Sequence, residues 1–247
     1  MKFMMMHKTN PYYEAGGLPS MELIGKVGRM VGDMVQSGKL LAADGLRSSA
    51  EGVRLKFAGG KRTVLPGPFI GGNELIASFT VLRVGSLDEA VEWASRVAVV
   101  VGDGEVDIRP ATEPWDIGLG KKPAEVTTRR YIAMRKASPD FEAGTRRAPA
   151  QTASMDELIR EMTQAGVLLS VGSLAPSSGA ARLRNFGGKK TVVDGPFAES
   201  KELIGGFVVL ELGSRAEAID WAGRYADVLG EIELDIRPVE GLSTFGR

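Results

Sequence analysis

Residues 187–197 read Gly-Gly-Lys-Lys-Thr-Val-Val-Asp-Gly-Pro-Phe, and residues 59–69 read Gly-Gly-Lys-Arg-Thr-Val-Leu-Pro-Gly-Pro-Phe. Gly59 falls on Gly187, and the same shift of 128 positions, without a gap, brings Trp93 onto Trp221 and Asp107-Ile108-Arg109-Pro110 onto Asp235-Ile236-Arg237-Pro238. Similarity at one fixed spacing over this length marks a tandem duplication. The expected division is a first copy at 1–118, a connector at 119–128 that carries Gly120, Lys121, Lys122 and Pro123, and a second copy at 129–247.

Working outward from the hairpin, each copy repeats one pattern. Phe3-Met4-Met5-Met6 and Tyr131-Ile132-Ala133-Met134 read as opening strands. Leu23, Val27, Met30, Val31 and Met34 share one helical face, as do Met155, Leu158, Ile159 and Met162, for which Ser154 to Glu157 suggests a capping box. Gly38 and Gly166 suit helix ends, and strands are expected at 39–46 and 167–174. Gly59-Gly60 and Gly187-Gly188 predict tight hairpins, and Ser86 with Glu89 and Ser214 with Glu217 predict capped second helices. The order strand, helix, strand, hairpin, strand, helix, strand is that of a ferredoxin-like α+β unit with an extra β-hairpin. Phe207 to Leu210 are apolar at consecutive positions, which requires burial on both sheet faces. The neighbouring copy is the nearest cover, so two sheets packed face to face within one chain are expected. In the last strand Ile232, Leu234 and Ile236 alternate with Glu231, Glu233, Asp235 and Arg237, a polar stripe pointing away from the helices.

Composition narrows the chemistry. The 247 residues hold 31 Lys and Arg against 31 Asp and Glu, which argues against a polyanion-binding face and hence against nucleic acid. With no cysteine and one histidine, thiol chemistry and a cysteine-ligated metal are excluded, and no metal site is expected. Met1 to His7 does not follow a signal-peptide pattern, and no apolar run approaches the length of a membrane span. A soluble, cytoplasmic protein is the expectation.

At Asp194-Gly195-Pro196-Phe197-Ala198-Glu199-Ser200-Lys201-Glu202, and through Glu14-Ala15-Gly16, Glu142-Ala143-Gly144, both Gly-Gly-Lys hairpins and both Ile-Arg-Pro strands, the sequence resembles the DGPF group of the YCII-related superfamily over nearly its whole length. The resemblance implies the dimeric α/β barrel version of the ferredoxin-like fold, built here as an intramolecular pseudo-dimer, and it leaves further homo-oligomers open. It implies a small-molecule ligand and, for an enzyme, proton-transfer or lyase chemistry without cofactors. The alternative is a noncatalytic binding or assembly module linked to regulation. This chain lacks the histidine expected in the first helix of YCII proteins, and it shows no helix-turn-helix or basic arm.

Asp194 is the leading catalytic candidate, as a base beside a cleft. Asp-Gly-Pro is equally good turn chemistry. Copy one has Pro66 there, and Gly71-Gly72-Asn73 in place of Glu199-Ser200-Lys201, so copy two is the better functional candidate. His7, on the first strand with Phe3 and Met5, has the intrinsic pKa of an acid or base, but a lone strand-end imidazole also suits a structural hydrogen bond; its counterpart is Arg135. Arg109 and Arg237 could grip a carboxylate or enolate, or pair on the same face with Asp107 and Asp235. Phe197 and Glu199 complete the candidate ligand-binding set, with packing the simpler role for Phe197, while Arg54, Lys61, Arg182 and Lys189 read as solvated edge charges.

Overall fold

The computed structural model describes residues 1–69 and 73–245. Along the chain run β1 (Lys2–Lys8), α1 (Pro11–Glu14), α2 (Met21–Gln36), β2 (Leu40–Gly45), β3 (Val53–Ala58), β4 (Lys61–Pro66), β5 (Ile76–Val84), α3 (Leu87–Val101) and β6 (Gly104–Pro110). The series repeats as β7 (Arg129–Lys136), α4 (Pro139–Glu142), α5 (Pro149–Gln164), β8 (Leu168–Leu174), β9 (Ala181–Phe186), β10 (Lys189–Asp194), β11 (Ile204–Glu211), α6 (Arg215–Leu229) and β12 (Ile232–Thr244). One-turn segments at Ser49–Glu51 and Ser177–Gly179 precede the hairpins.

Local chemistry sets most boundaries. Ser86 and Ser214 accept from the amides of Glu89 and Glu217 at 3.1 Å and so cap α3 and α6. The glutamates reach back to Gly85 and Gly213, one residue earlier than in a standard capping box. At Gly59-Gly60 and Gly187-Gly188 all four φ angles lie between 56° and 75°, the left-handed values that a two-residue hairpin turn requires. One expectation is corrected: Ser154 does not open its helix. It lies inside α5, which starts at Pro149, where proline occupies a position with no amide to lose and Gln151 accepts from the Ala148 amide at 3.1 Å.

The chain forms two compact units, Met1–Gly45 with Leu174–Glu240, and Leu46–Ser173 with Gly241–Arg247. Each therefore joins the opening strand-helix-strand of one copy to the hairpin-strand-helix-strand of the other. In the first unit β1 lies between β11 and β12, with Met5 opposite Val208 and Ile236; β2 flanks β11, and β9 and β10 extend beyond β12. In the second, β7 lies between β5 and β6, with β8 beside β5 and β3 and β4 beyond β6. Both sheets are antiparallel throughout these pairs. The divisions of sequence and of packing thus differ, because the copies present the same edge chemistry and side-chain pattern does not say whose strand a given edge takes.

Each sheet has one helix-covered face. In the first unit Phe3, Met5, Val208, Leu210, Leu234 and Ile236 form a core with Met30 and Met34 of α2 and Trp221, Ala222 and Tyr225 of α6. In the second, Leu82, Val84, Val106, Ile108 and Tyr131 meet Ala90, Val91 and Ala94 of α3 and Leu158 and Met162 of α5. The opposite faces are buried as well: Met4, Met6, Phe207 and Val209 in the first unit, and Phe79, Val81, Ile132 and Met134 in the second. A fully buried side chain of this size contributes about 1.5–3 kcal/mol, so both faces carry the fold.

The Gly-Pro-Phe turns dock tightly. A Cβ on Gly195 would sit 1.8 Å from the Ser177 carbonyl oxygen, and one on Gly67 would sit 1.8 Å from that of Ser49. Gly195→Ala is expected to cost about 3 kcal/mol or more by forcing these backbones apart. Chemical unfolding should show a clear fall in midpoint, whereas Gly223→Ala, where a Cβ meets the end of Lys190 at 4.0 Å, should show little steric cost.

Candidate functional site

The polar stripe of the last strands is buried. On the helix-free face of the first unit, Arg182 of β9 stands directly opposite Asp235 of β12, and its Nε and Nη2 donate to the two carboxylate oxygens at 2.6 and 3.1 Å. Lys8 of β1 reaches the same carboxylate at 2.8 Å. The second unit repeats this with Arg54 on Asp107 at 2.6 and 2.8 Å and Lys136 on Asp107 at 2.8 Å. All six side chains are at least nine-tenths buried. Each lysine comes from the copy that does not supply its arginine and aspartate.

Two local devices build the cluster. Beside each lysine the ladder slips by one residue: His7 faces Gly206 but Lys8 faces Ile204, and Arg135 faces Ser78 but Lys136 faces Ile76. Such bulges re-aim a side chain. The second device is the Gly-Pro-Phe turn. Phe197 and Phe69 donate their amides to Ser177 and Ser49 Oγ at 3.0 and 3.1 Å, which lays the rings on Arg182 and Arg54, with 4.2 and 4.8 Å from guanidinium to ring centroid. The ring covers the cation's flat face while its edge donates to the carboxylate.

The electrostatics of the twins diverge. Burial pushes the Asp235 carboxyl up, but Lys8 and Arg182 more than reverse this and hold it below its ordinary value. Burial raises Asp107 above its ordinary value against the pull of Arg54 and Arg109. There Glu74 shares both cations, accepting from Arg54 at 2.9 Å and from Lys136.

The sequence-predicted residues are placed as follows. Asp194 ends β10, three-quarters exposed, with its carboxylate on Arg215. His7 lies on the helix side of the sheet; its Nδ1 is 3.0 Å from the Tyr225 hydroxyl, whose pKa burial raises, and its ring abuts the backbone of Gly205 and Gly206. Phe197 and the carbonyl of Glu199, 3.3 Å from Arg182, border the buried cluster. The Glu199 carboxylate is exposed beside Lys201. Arg109 and Arg237, 2% and 0% exposed, donate to the carbonyls of Arg47 and Ala175. Asp107 and Asp235 take their direct ion pairs from Arg54 and Lys136 and from Arg182 and Lys8.

The reading of Arg54 and Arg182 as solvated edge charges is corrected, since both are buried at the centre of their clusters; Lys61 and Lys189 are exposed. Lys8 and Lys136 are cluster residues that the motifs of the sequence do not mark. Their signal is positional: each stands at the same place in its copy, on the opposite strand face from His7 or Arg135. Gly71 and Gly72 lie outside the described residues. Among the described residues, no group of three or more His, Cys, Asp or Glu is placed to hold a metal ion, and no helix is long and apolar enough to cross a membrane.

Removing one partner of a buried ion pair typically costs about 3–5 kcal/mol. Asp235→Asn should therefore be clearly less stable than wild type at neutral pH. A lowered folded pKa gives stability that is full above the unfolded pKa, about 4, and is lost as pH falls through the folded value. Urea unfolding over that acid range should show the gap between wild type and variant closing.

The profile of the YCII-related domain matches residues 1–113 and again 130–233. An uncharacterised protein of Rhizobium meliloti (strain 1021) is 44% identical over 63 residues, 26% of this chain and 51% of that protein, so the match spans about half the length of this curated relative. With both halves matched, the chain belongs to the YCII-related family and carries two of its domains in tandem.

Proposed function

We propose that the protein binds a small anionic molecule and performs cofactor-independent proton transfer on it, at the Lys8, Arg182 and Asp235 cluster of the first unit. The observation behind this reading is the duplicated lysine, arginine and aspartate buried beneath the Gly-Pro-Phe turn, with Asp235 and Asp107 pushed in opposite directions. A buried carboxylate held by two buried cations is the kind of perturbed group that marks candidate functional sites. In the proposal the Asp235 carboxylate takes the proton from the carbon next to the ligand's carbonyl and returns a proton there, while Lys8 and Arg182, with Arg237 as a second buried guanidinium, balance the enolate-like anion that forms between the two transfers. Asp194, paired with Arg215 at the surface, serves the turn.

The architecture is part of the proposal. The strand order of each unit, with its hairpin beyond the last strand, fits a ferredoxin-like unit, and the burial of both helix-free faces supports the intramolecular dimeric α/β barrel. The rival reading, a noncatalytic binding or assembly module, is favoured by one feature: each cluster pairs its cations with carboxylates, as a purely structural network would.

Exchange of α-protons in D2O, followed by proton NMR over a panel of 2-oxo and 3-oxo carboxylates, separates these readings. Catalysed exchange is expected with at least one compound. It should be abolished by Lys8→Met and retained by Asp194→Asn. Exchange no faster than buffer across the panel, or exchange untouched by Lys8→Met, would move the function to the rival.

A further inference from the structure

We infer that the first unit's cluster is a binding site for a short-chain carboxylate, and that the second unit carries the same site with its ligand built in as the Glu74 side chain. This deepens the proposed function by naming the class of molecule held, and it rests on the same residues. The two clusters match position for position: Lys8 with Lys136, Arg182 with Arg54, Asp235 with Asp107, and Phe197 with Phe69. The difference lies in one carboxylate. Glu74, 3% exposed, puts one oxygen on Arg54 at 2.9 Å and the other on Lys136, so it bridges the two cations that also hold Asp107. Its counterpart, Glu202, is exposed and acts on Arg182 through its charge from there.

Sequence explains why only one copy folds its glutamate inward. Asn73 turns the chain by accepting from the Leu75 amide at 3.1 Å, and Glu74 follows it into the interior. Copy two has Lys201 there, exposed and paired with Glu199 at 3.2 Å. The charges differ accordingly. In the second unit Arg54 and Lys136 meet Asp107 and Glu74, with Glu105 at the rim 3.9 Å from Arg54 and itself bound to Lys56 at 2.8 Å. In the first, Arg182 and Lys8 share Asp235, while Glu233 at the rim, 3.2 Å from Arg182, is itself bound to Arg184 at 2.8 Å. Among the described residues Lys8 has Asp235 as its ion-pair partner.

Glu74 therefore displays what this set of cations selects: a carboxylate on a two-carbon stem, bound by a lysine and an arginine with charge-assisted hydrogen bonds. In the first unit a free molecule of that shape would have the apolar side chains of Met6 and Phe207 on the same sheet face.

The probe is propionate, the Glu74 side chain cut at its Cα, with propionamide as the uncharged control. Titrated against the full chain by NMR, propionate is expected to saturate one site, to give contacts from its methyl group to Met6, Phe207 or the Lys8 ε-protons, and to weaken about tenfold or more in Lys8→Met. Glu74→Ala should expose the second site, so that propionate raises its melting temperature more than it raises that of wild type. Propionamide should do neither. Binding that fails to saturate, equal effects of propionamide, or contacts placed elsewhere would overturn the inference. The wild-type contacts decide the matter even where a variant does not fold. Because the readout is binding, it can succeed where the proton-exchange assay fails, which would remove the catalysis and keep the site.

Discussion

The structure depends on where β1 inserts. Placed between β11 and β12, a strand of copy one completes the sheet of copy two, and it delivers Lys8 to Asp235 and Arg182. The reciprocal insertion of β7 between β5 and β6 brings Lys136 to Asp107 and Arg54. Neither cluster exists within one copy of the sequence. Pairing one's own strand or the other copy's strand would bury nearly the same apolar surface and would bring an equivalent lysine, Lys8 or Lys136, to each cluster, so the clusters set the register of the inserted strand and not the copy it comes from.

Register makes this concrete. Phe3-Met4-Met5-Met6 is buried on both faces, so a slip of one residue would still bury apolar atoms, and methionine is the most adaptable of such side chains. The polar end of the strand is less forgiving. Lys8 must meet a carboxylate, and His7 must fit between Tyr225 and the bare backbone of Gly205 and Gly206. A buried ammonium left unpaired costs several kcal/mol, more than the adjustment of one methionine. Buried charge here selects one register among several apolar ones, and the Gly-Pro-Phe turn completes it by stacking a ring on the arginine.

Much of this was legible in the sequence. The hairpins, the serine caps of α3 and α6, and the glycine helix ends depend on near neighbours, and each followed from residue type. The polar stripe at Asp235 and Arg237 was legible as alternation, and so was its direction away from the helices. Its partners were not. Arg182 looks like an edge charge until β9 is set against β12, and the pairing of Arg182 with Asp235 is a contact across 53 positions. Lys8 closes a methionine run, and its partner lies 227 positions away in the other copy. The exchange of halves was illegible for a plainer reason: a duplication makes the two alternatives alike, residue by residue. The helix start at Pro149 is hidden in the sequence because Ser154 offers a stronger local capping pattern than Ala148.

The exchange of halves can be read directly, because the chain has no cysteine of its own. Lys2 lies opposite Glu211, whereas pairing within a copy would set it opposite Arg83. Oxidation of the dilute double variant Lys2→Cys/Glu211→Cys should give an intramolecular disulfide in high yield, and Lys2→Cys/Arg83→Cys should stay reduced. The reverse pattern would contradict the account, and with it the joint origin of both ion clusters.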